Sequence, residues 1–424
     1  MPLKIGRYDI REQIGRGATS IIYLAHDAFN NRDVALKVAQ QDVFRDPVNG
    51  AKSRKLFMNE AAHAGKLNHP HIVAIYDAGV DEELNYIAME YVPGGTLAAY
   101  TDATKLLPFD KVAEIAFKVA KALEYAQRFG VIHRDIKPAN ILVAKDTDIK
   151  ISDFGAALWS NVTSTQVMGA VGSPRYMSPE QITGRDITHQ SDIYSLGVVM
   201  YELLTGKSPV KADNPAALLM AVVKETPPPI VQLRPGVPPA LARIVERAME
   251  KDPKRRYPNW SDFTDDLGAI YGSLETQPEE ISDTRKFNIM KGLAFFGGFT
   301  EAELWEFLHF SQWARFKTGR ALVEEGKMGG SFFVLASGEA RVYKNERLLG
   351  MIRAGEPFGE MPYIYDEPRK RSATVNAISD AMLIKVRADA LKDASEDLRL
   401  RINRAFLRVM AERLARTDYL LANL

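Results

Sequence analysis

The sequence predicts an α+β chain in two parts: a large region that runs from sheet to helices, then a small β-barrel with flanking helices. Three observations carry this. Residues 8–39 alternate apolar and polar around a glycine-rich turn, so a sheet opens the chain. From Leu107 onward the period becomes helical, with Phe109, Val112, Ile115, Ala116, Val119, Leu123 and Ala126 on one face. Between Trp313 and Val386 short alternating runs are cut at Gly319, Gly326, Gly329, Gly330, Gly338, Gly350, Gly355 and Gly359, the pattern of a small barrel. Residues 272–285 are acidic with few apolar side chains and read as an exposed linker. The boundaries are therefore 8–271, 272–285 and 286–424.

Composition sets the outer limits. At 424 residues the chain holds two or three domains with ample cores. Hydrophobic residues make up 46% and charged residues 26%, ordinary for a soluble protein. The net charge of +1 gives no global field toward nucleic acid or acidic membranes, so neither is expected as a partner. The absence of cysteine excludes disulfides and thiolate-held metal and fits a reducing interior. Residues 1–7 lack the apolar core of a signal peptide. The longest apolar tract, 193–204, is interrupted by Ser195, Gly197 and Glu202; it reads as a buried helix, not a membrane span. A cytoplasmic location is expected.

Four short motifs carry chemistry. The first is His133-Arg134-Asp135-Ile136-Lys137-Pro138-Ala139-Asn140. Asp135 can accept a proton from an attacking hydroxyl, and Asn140, five residues on, can hold a magnesium ion. Asp153-Phe154-Gly155 supplies a second magnesium ligand. Val34-Ala35-Leu36-Lys37 is a strand ending on a lysine, and Gly15-Arg16-Gly17-Ala18-Thr19-Ser20 is a glycine-rich turn. Each alone is weak, since the turn is compatible with any hairpin. Together, in this order, they answer the separate needs of one phosphoryl transfer. Residues 8–271 resemble the eukaryotic-type (Hanks-type) Ser/Thr protein kinases, which implies a two-lobed fold using ATP and Mg2+ on protein substrates.

The resemblance assigns roles along the first region. Gly15 and Gly17 would let backbone amides approach the ATP phosphates; Ser20 stands where the family has a third glycine. Ile14, Ile22, Ala35 and Leu142 would enclose adenine, with Met89 as gatekeeper and the backbones of Glu90 and Val92 facing the base. Lys37 would clamp the α- and β-phosphates and pair with Glu60, on a helix read from Leu56, Phe57, Ala61, Ala64 and Leu67. A lone strand-end lysine or helix glutamate is ordinarily just solvated; the surrounding motifs favour the pair.

In the second lobe Asp135 would be the base. Lys137 would offset charge on the γ-phosphoryl group and points to Ser/Thr substrates. Asn140 and Asp153 would bind Mg2+. Arg134 would be balanced by a phosphate on the segment 153–180, which is rich in hydroxyls and lacks acids between Gly155 and Glu180. Autophosphorylation is expected within 163–165, on Thr163 or, preferably, Thr165. Glu180 would pair with Arg256, and Asp192 would brace the catalytic-loop backbone.

After the linker, Phe299-Thr300-Glu301 reads as a capped helix start. Phe332-Phe333-Val334-Leu335, Phe358-Gly359-Glu360 and Arg371-Ser372-Ala373-Thr374-Val375 resemble the Crp-like cyclic-nucleotide-binding domain, over about 287–424. Glu360 would accept a ribose hydroxyl proton, and Arg371, Gly359, Ser372 and Ala373 would cradle the cyclic phosphate of cyclic AMP or cyclic GMP. Met361-Pro362-Tyr363 departs from the family's small aliphatic run, and Pro362 would remove an amide. Arg369 is a rival to Arg371. Ile402, Phe406, Val409, Met410 and Leu414 space along one side of a final helix, read as a barrel closure, a lid or a homodimer helix. The stretch after the barrel is too short for a helix-turn-helix, so a transcription factor of the related type is not expected.

The expected protein is a bacterial signalling Ser/Thr kinase with a C-terminal cyclic-nucleotide module. The alternatives are a kinase whose second domain is ligand-free and serves docking or dimerisation, or a kinase-fold scaffold.

Overall fold

The computed structural model describes residues 3–17, 20–40, 57, 61, 65–81, 84–154, 174–274 and 281–422. The chain divides into two compact units, Met1–Glu280 and Ile281–Leu424.

The first unit opens on strands Lys4–Ile5 (β1), Tyr8–Arg16 (β2), Ser20–Asp27 (β3), Arg32–Ala39 (β4), Ile75–Asp81 (β5) and Leu84–Glu90 (β6). They form one sheet in the order β1-β2-β3-β4-β6-β5, antiparallel throughout. The period-two pattern of the sequence explains it: Tyr23, Ala25, Val34, Leu36 and Val38 fall on one face and are buried together with Tyr8, Tyr86 and Ala88. Phe57 and Ala61 are helical, and Ala61 is buried. The rest of the expected helix, with Glu60, lies outside the described residues.

The second lobe is helical. Phe109–Arg128 (α1) buries the face predicted from its spacing. After a short hairpin, Ile141–Lys145 (β7) with Asp148–Ile151 (β8), come Pro179–Thr183 (α2), His189–Thr205 (α3), Pro215–Lys224 (α4), Pro239–Ala248 (α5) and Trp260–Leu274 (α6). The middle of α3 is buried all round, which is why its sequence is apolar on every side. The loop after β6 passes tightly over β7: Val143 donates its amide to Gly95 O (2.9 Å), and a Cβ on Gly94 would collide with Val143 O.

A buried ion pair closes this lobe. Ser178 caps α2 in a reciprocal box with Gln181, placing Glu180 in the first turn. Glu180 receives two 2.7 Å bonds from Arg256 and a third, 2.7 Å, from Ser191 Oγ. Burial pushes the Glu180 carboxyl up, but the Arg256 fork outweighs it and holds the carboxyl below its usual range.

The second unit begins with Asp283–Gly292 (α7), capped by Ser282, and Glu301–His309 (α8), capped by Thr300 with Glu303 returning the bond, as the sequence indicated. Phe287 stacks on Trp305 between them (4.5 Å). The expected linker is shorter than 272–285, because α6 extends through Leu274 and α7 starts at Asp283; Ser282 supplies a cap that composition alone did not reveal.

The strands that follow are Ser311–Phe316 (β9), Ala321–Val323 (β10), Met328–Gly329 (β11), Ser331–Ser337 (β12), Glu339–Lys344 (β13), Arg347–Arg353 (β14), Pro357–Phe358 (β15), Arg369–Lys370 (β16), Thr374–Ala377 (β17) and Ala381–Arg387 (β18). They build two four-stranded antiparallel sheets, β10-β17-β13-β14 and β15-β12-β18-β9, with β11 paired to β16. Leu335, Ala340, Val375, Leu383 and Phe358 from both sheets share one core. A short helix, Met361–Ile364 (α9), interrupts the strands, and Glu396–Ala422 (α10) ends the unit. Among its described side chains, Leu398, Ile402, Ala405 and Phe406 are buried. Leu414, expected on that side, is instead 63% exposed, in line with Leu400 and Leu407 at seven-residue intervals.

Arg256→Met should lower the unfolding free energy by about 3–5 kcal/mol, because it leaves the Glu180 carboxylate buried without its partner. Denaturant unfolding of both proteins measures this. The wild type's advantage should be full above pH 4.5, the ordinary value for the carboxyl, and fade as pH falls through the lower folded value. An unchanged midpoint for the variant would contradict the assignment.

Candidate active site and ligand pocket

Asp192, buried in α3, holds the catalytic loop by its backbone. Its two oxygens accept the amides of His133 (2.8 Å) and Arg134 (2.7 Å). Burial raises the Asp192 pKa even against these bonds. Arg134 sits at φ 66°, a left-handed conformation that the two bonds enforce. His133 Nδ1 accepts the Asp135 amide (3.2 Å), so Nε2 carries the proton and donates to Ser152 O (2.9 Å). Its ring lies 4.7 Å from that of Phe154.

Asp135 is fixed on one side. Its Oδ2 accepts from Lys137 Nζ (2.6 Å) and Asn140 Nδ2 (3.0 Å), and its carbonyl accepts from Asn140 Nδ2 (2.9 Å). Both amide protons of Asn140 are thereby used, and its Oδ1 makes no hydrogen bond among the described residues. Asp153, at φ 60°, turns Oδ1 onto Lys37 Nζ (2.7 Å). The Lys37 charge, working against burial, holds the Asp153 carboxyl below its usual range. Asp153 Oδ2 accepts nothing among the described residues. Asn140 Oδ1 and Asp153 Oδ2 are hard oxygen donors pre-oriented by their own neighbours, which suits a magnesium ion.

Above them Ala35, Val73, Met89 and Val92 form a buried cluster, with Ile22 and Leu142 packed against it. Ile14 is 42% exposed and outside that cluster. The Glu90 amide is taken by Ala74 O (2.9 Å), whereas the Val92 amide makes no hydrogen bond among the described residues. Gly17 donates its amide to Ser20 O (2.8 Å), so Ser20 closes the glycine-rich turn, and it is buried. A small cavity here is lined by Lys37, Ile75, Ile87, Met89, Asp153 and Phe154 among others. Thr163 and Thr165, like Glu60, lie outside the described residues.

The second unit holds the other candidate site. Arg371 donates to Gly359 O (2.9 Å) and Ser331 O (2.7 Å), and its guanidinium lies 5.5 Å from the Phe333 ring centre. Burial lowers its pKa, with Glu360 acting the other way. Gly359 has φ 70°, and a Cβ there would come within 2.8 Å of Arg371 Nη1. The same guanidinium blocks a side chain at Gly329. The rival Arg369 stacks 3.7 Å over Tyr365 and pairs with Glu367 (2.8 Å). The geometry therefore joins Gly359 to Arg371. The amides of Ser372 and Ala373 make no hydrogen bond among the described residues. At α9, Tyr363 and Ile364 donate to Glu360 O (2.9 and 3.1 Å) and Pro362 has no donor, leaving Met361 as the open amide.

One contact had no sequence signal. Arg413, on α10, reaches Glu360 Oε1 (3.4 Å) and donates to Pro357 O.

Comparison with known proteins identifies the family. Residues 8–263 match the model of the protein kinase domain, and residues 313–397 that of the cyclic nucleotide-binding domain. A probable serine/threonine-protein kinase of Clostridium acetobutylicum is 39% identical over 277 residues, 65% of this chain and 42% of that protein. One of Streptomyces coelicolor is 39% identical over 281 residues, 64% of this chain and 41% of that protein. The serine/threonine-protein kinase PknB of Mycobacterium leprae is 36% identical over 299 residues, 69% of this chain and 47% of that protein. The chain thus spans less than half the length of these relatives. It belongs to the protein kinase family, with a cyclic nucleotide-binding domain following the kinase domain.

Proposed function

We propose that the chain is a serine/threonine-protein kinase that transfers the ATP γ-phosphoryl group to protein hydroxyls and is controlled by a cyclic nucleotide in its second unit. The observation that carries the first part is the Asp135–Lys137–Asn140 knot beside the Lys37–Asp153 pair. Asp135 keeps Oδ1 free of hydrogen bonds among the described residues, and this oxygen takes the substrate hydroxyl's proton. Lys137 faces the transferring group. Lys37 holds the α- and β-phosphates, with Glu60 as the partner the family resemblance implies, and the Ala35–Met89–Val92 cluster faces adenine with the Val92 amide on its edge. Asn140 and Asp153 would hold Mg2+, which when bound offsets phosphate charge. Arg134 receives the phosphate of Thr165 or Thr163 once the enzyme has modified itself.

The second part rests on Arg371 beside Gly359 and the open amides of Ser372 and Ala373, which suit a cyclic phosphate. Glu360 suits the ribose. The Pro362 departure favours a second reading, a ligand-free docking or dimerisation module. A homodimer through Leu400, Leu407 and Leu414 of α10 fits either. Among the described residues no helix is long and apolar enough to cross a membrane, and we place the protein in the cytoplasm as a bacterial signalling enzyme.

Three measurements test this. Asp135→Asn should reduce turnover about 10²–10⁴-fold with unfolding unchanged; near-normal turnover of the purified variant would sink the assignment. Phosphopeptide mapping after incubation with ATP should find the modification within 163–165, and an active enzyme unmodified there would contradict the control by Arg134. Calorimetry should show cyclic AMP or cyclic GMP binding that Arg371→Ala weakens by about 2–5 kcal/mol, the cost of a buried phosphate without its partner. If neither nucleotide binds at millimolar concentration, the docking reading replaces the regulatory one.

A further inference from the structure

Asp135 is held through its own peptide group as well as through its side chain. Its amide donates to His133 Nδ1 (3.2 Å), and the carbonyl on the other side of that peptide, Arg134 O, accepts from Gln181 Nε2 (2.8 Å). The planar group that leads into Asp135 is therefore fixed at both ends, once from within the loop and once from α2. The orientation of the Gln181 amide is forced. Its Oε1 accepts the Ser178 amide (2.9 Å), which can only donate, and its Nε2 meets the Arg134 carbonyl, which can only accept.

This bond closes a ring. Ser191 and Asp192 are neighbours on α3: Ser191 donates to Glu180, and Asp192 accepts the Arg134 amide. Glu180 and Gln181 are neighbours on α2, and Gln181 returns to the Arg134 carbonyl. The stretch ahead of α2 is fixed to the same helix, since Tyr176 donates its hydroxyl to Glu202 (2.6 Å) and its carbonyl accepts from Ser195 Oγ (2.7 Å). Arg134, at φ 66°, lies outside any helix or strand, so its backbone depends on these side chains. The end of the segment 153–180 and the backbone that carries Asp135 are thus parts of one hydrogen-bonded unit.

We propose that Gln181 is a positioning residue for phosphoryl transfer: it sets the Arg134–Asp135 peptide and through it the direction of the Asp135 carboxylate, so that seating residues 174–181 on α3 and aiming the base are one event. The inference rests on the reading of Asp135 as the base. ATP keeps its place without this bond, because Lys37, Asp153 and the apolar cluster around Met89 are held separately. The loss falls on the transfer step.

The test uses the full chain, with labelled phosphate transferred from ATP to casein and to the chain itself. Gln181→Glu separates the two tasks of this side chain. Glutamate still accepts the Ser178 amide, as in the usual capping box, but a carboxylate cannot donate to Arg134 O. At neutral pH kcat should fall about tenfold, the worth of one hydrogen bond felt in the transition state, with KM for ATP unchanged. Relative to the wild type, the deficit should narrow as pH falls toward about 5, where protonated glutamate regains a donor. Gln181→Met has no proton to regain, so its deficit should not change with pH; thermal unfolding checks its fold, and Gln181→Glu decides alone if that variant unfolds. Ser178→Ala weakens the cap but keeps the bond to Arg134 O. It should lower the melting temperature while kcat stays within about twofold of the wild type. Wild-type kcat in Gln181→Glu, a loss explained by a raised KM for ATP, or an equal loss in Ser178→Ala overturns the inference. Asp135→Asn in the same assay tests the base reading by itself. Full turnover there overturns that reading and this inference with it, whereas a loss there beside wild-type kcat in Gln181→Glu overturns this inference alone.

Discussion

One buried carboxylate decides where the catalytic loop can be. Asp192 accepts two successive amides, and two such bonds to one carboxylate admit only a tight arc of backbone. The arc forces Arg134 into the left-handed region, a conformation costing on the order of 1 kcal/mol or more that persists because the surroundings over-determine it. Its direction throws Asp135 and Lys137 to the same side and lets His133 reach back to Ser152. Burial raises the Asp192 pKa despite these bonds, because the carboxylate is kept where solvent does not support it. The loop is therefore held from beneath, by backbone, and its side chains remain available for chemistry.

The same logic governs the junction with the sheet. Asp153 is also left-handed, and the turn brings its carboxylate to Lys37, 116 residues earlier on β4. Lys37 is presented there because Ala35 and Lys37 alternate across the strand with Leu36, which belongs to the core on the opposite face. A one-residue slip of β4 would bury the ammonium and expose the leucine, so the apolar pattern that folds the sheet also aims the lysine.

How much of this was legible in the sequence depended on how local each signal was. Asp135, Lys137 and Asn140 lie within one short loop, so their spacing is their geometry. Glu180 and Arg256 are 76 residues apart and were paired only through resemblance to a family, as were Asp192 and the loop it braces. The capping box at Thr300 was readable because both halves are three residues apart. The linker's true length was not, because nothing in an acidic stretch says that Ser282 will cap a helix. Leu414 was placed inward by its apolar character, yet the helix rotates about 100° per residue and the inward position there belongs to Arg413. An arginine whose carboxylate partner lies 53 residues away has no local pattern to announce it.

Both sites share a principle that separates them from ordinary polar surface. In each, the functional groups are part-satisfied by their own neighbours, and the unsatisfied valences are left on one side. Asn140 uses both amide protons on Asp135 and keeps its carbonyl; Asp153 gives one oxygen to Lys37 and keeps the other. Arg371 gives two donors to Gly359 and Ser331 carbonyls and keeps the rest of its five. A side chain so fixed loses little further freedom when a ligand arrives, so more of the interaction energy appears as affinity or as transition-state stabilisation. The requirement also explains the glycines: a Cβ at Gly329 or Gly359 would collide with the Arg371 guanidinium, and the carbonyl-bound orientation would be lost. Pro362 works in the opposite direction, since it removes a donor from the start of α9 without supplying another. In the proposed pocket, affinity for a phosphate must then come from Arg371 and the Ser372 and Ala373 amides more than from the head of that helix.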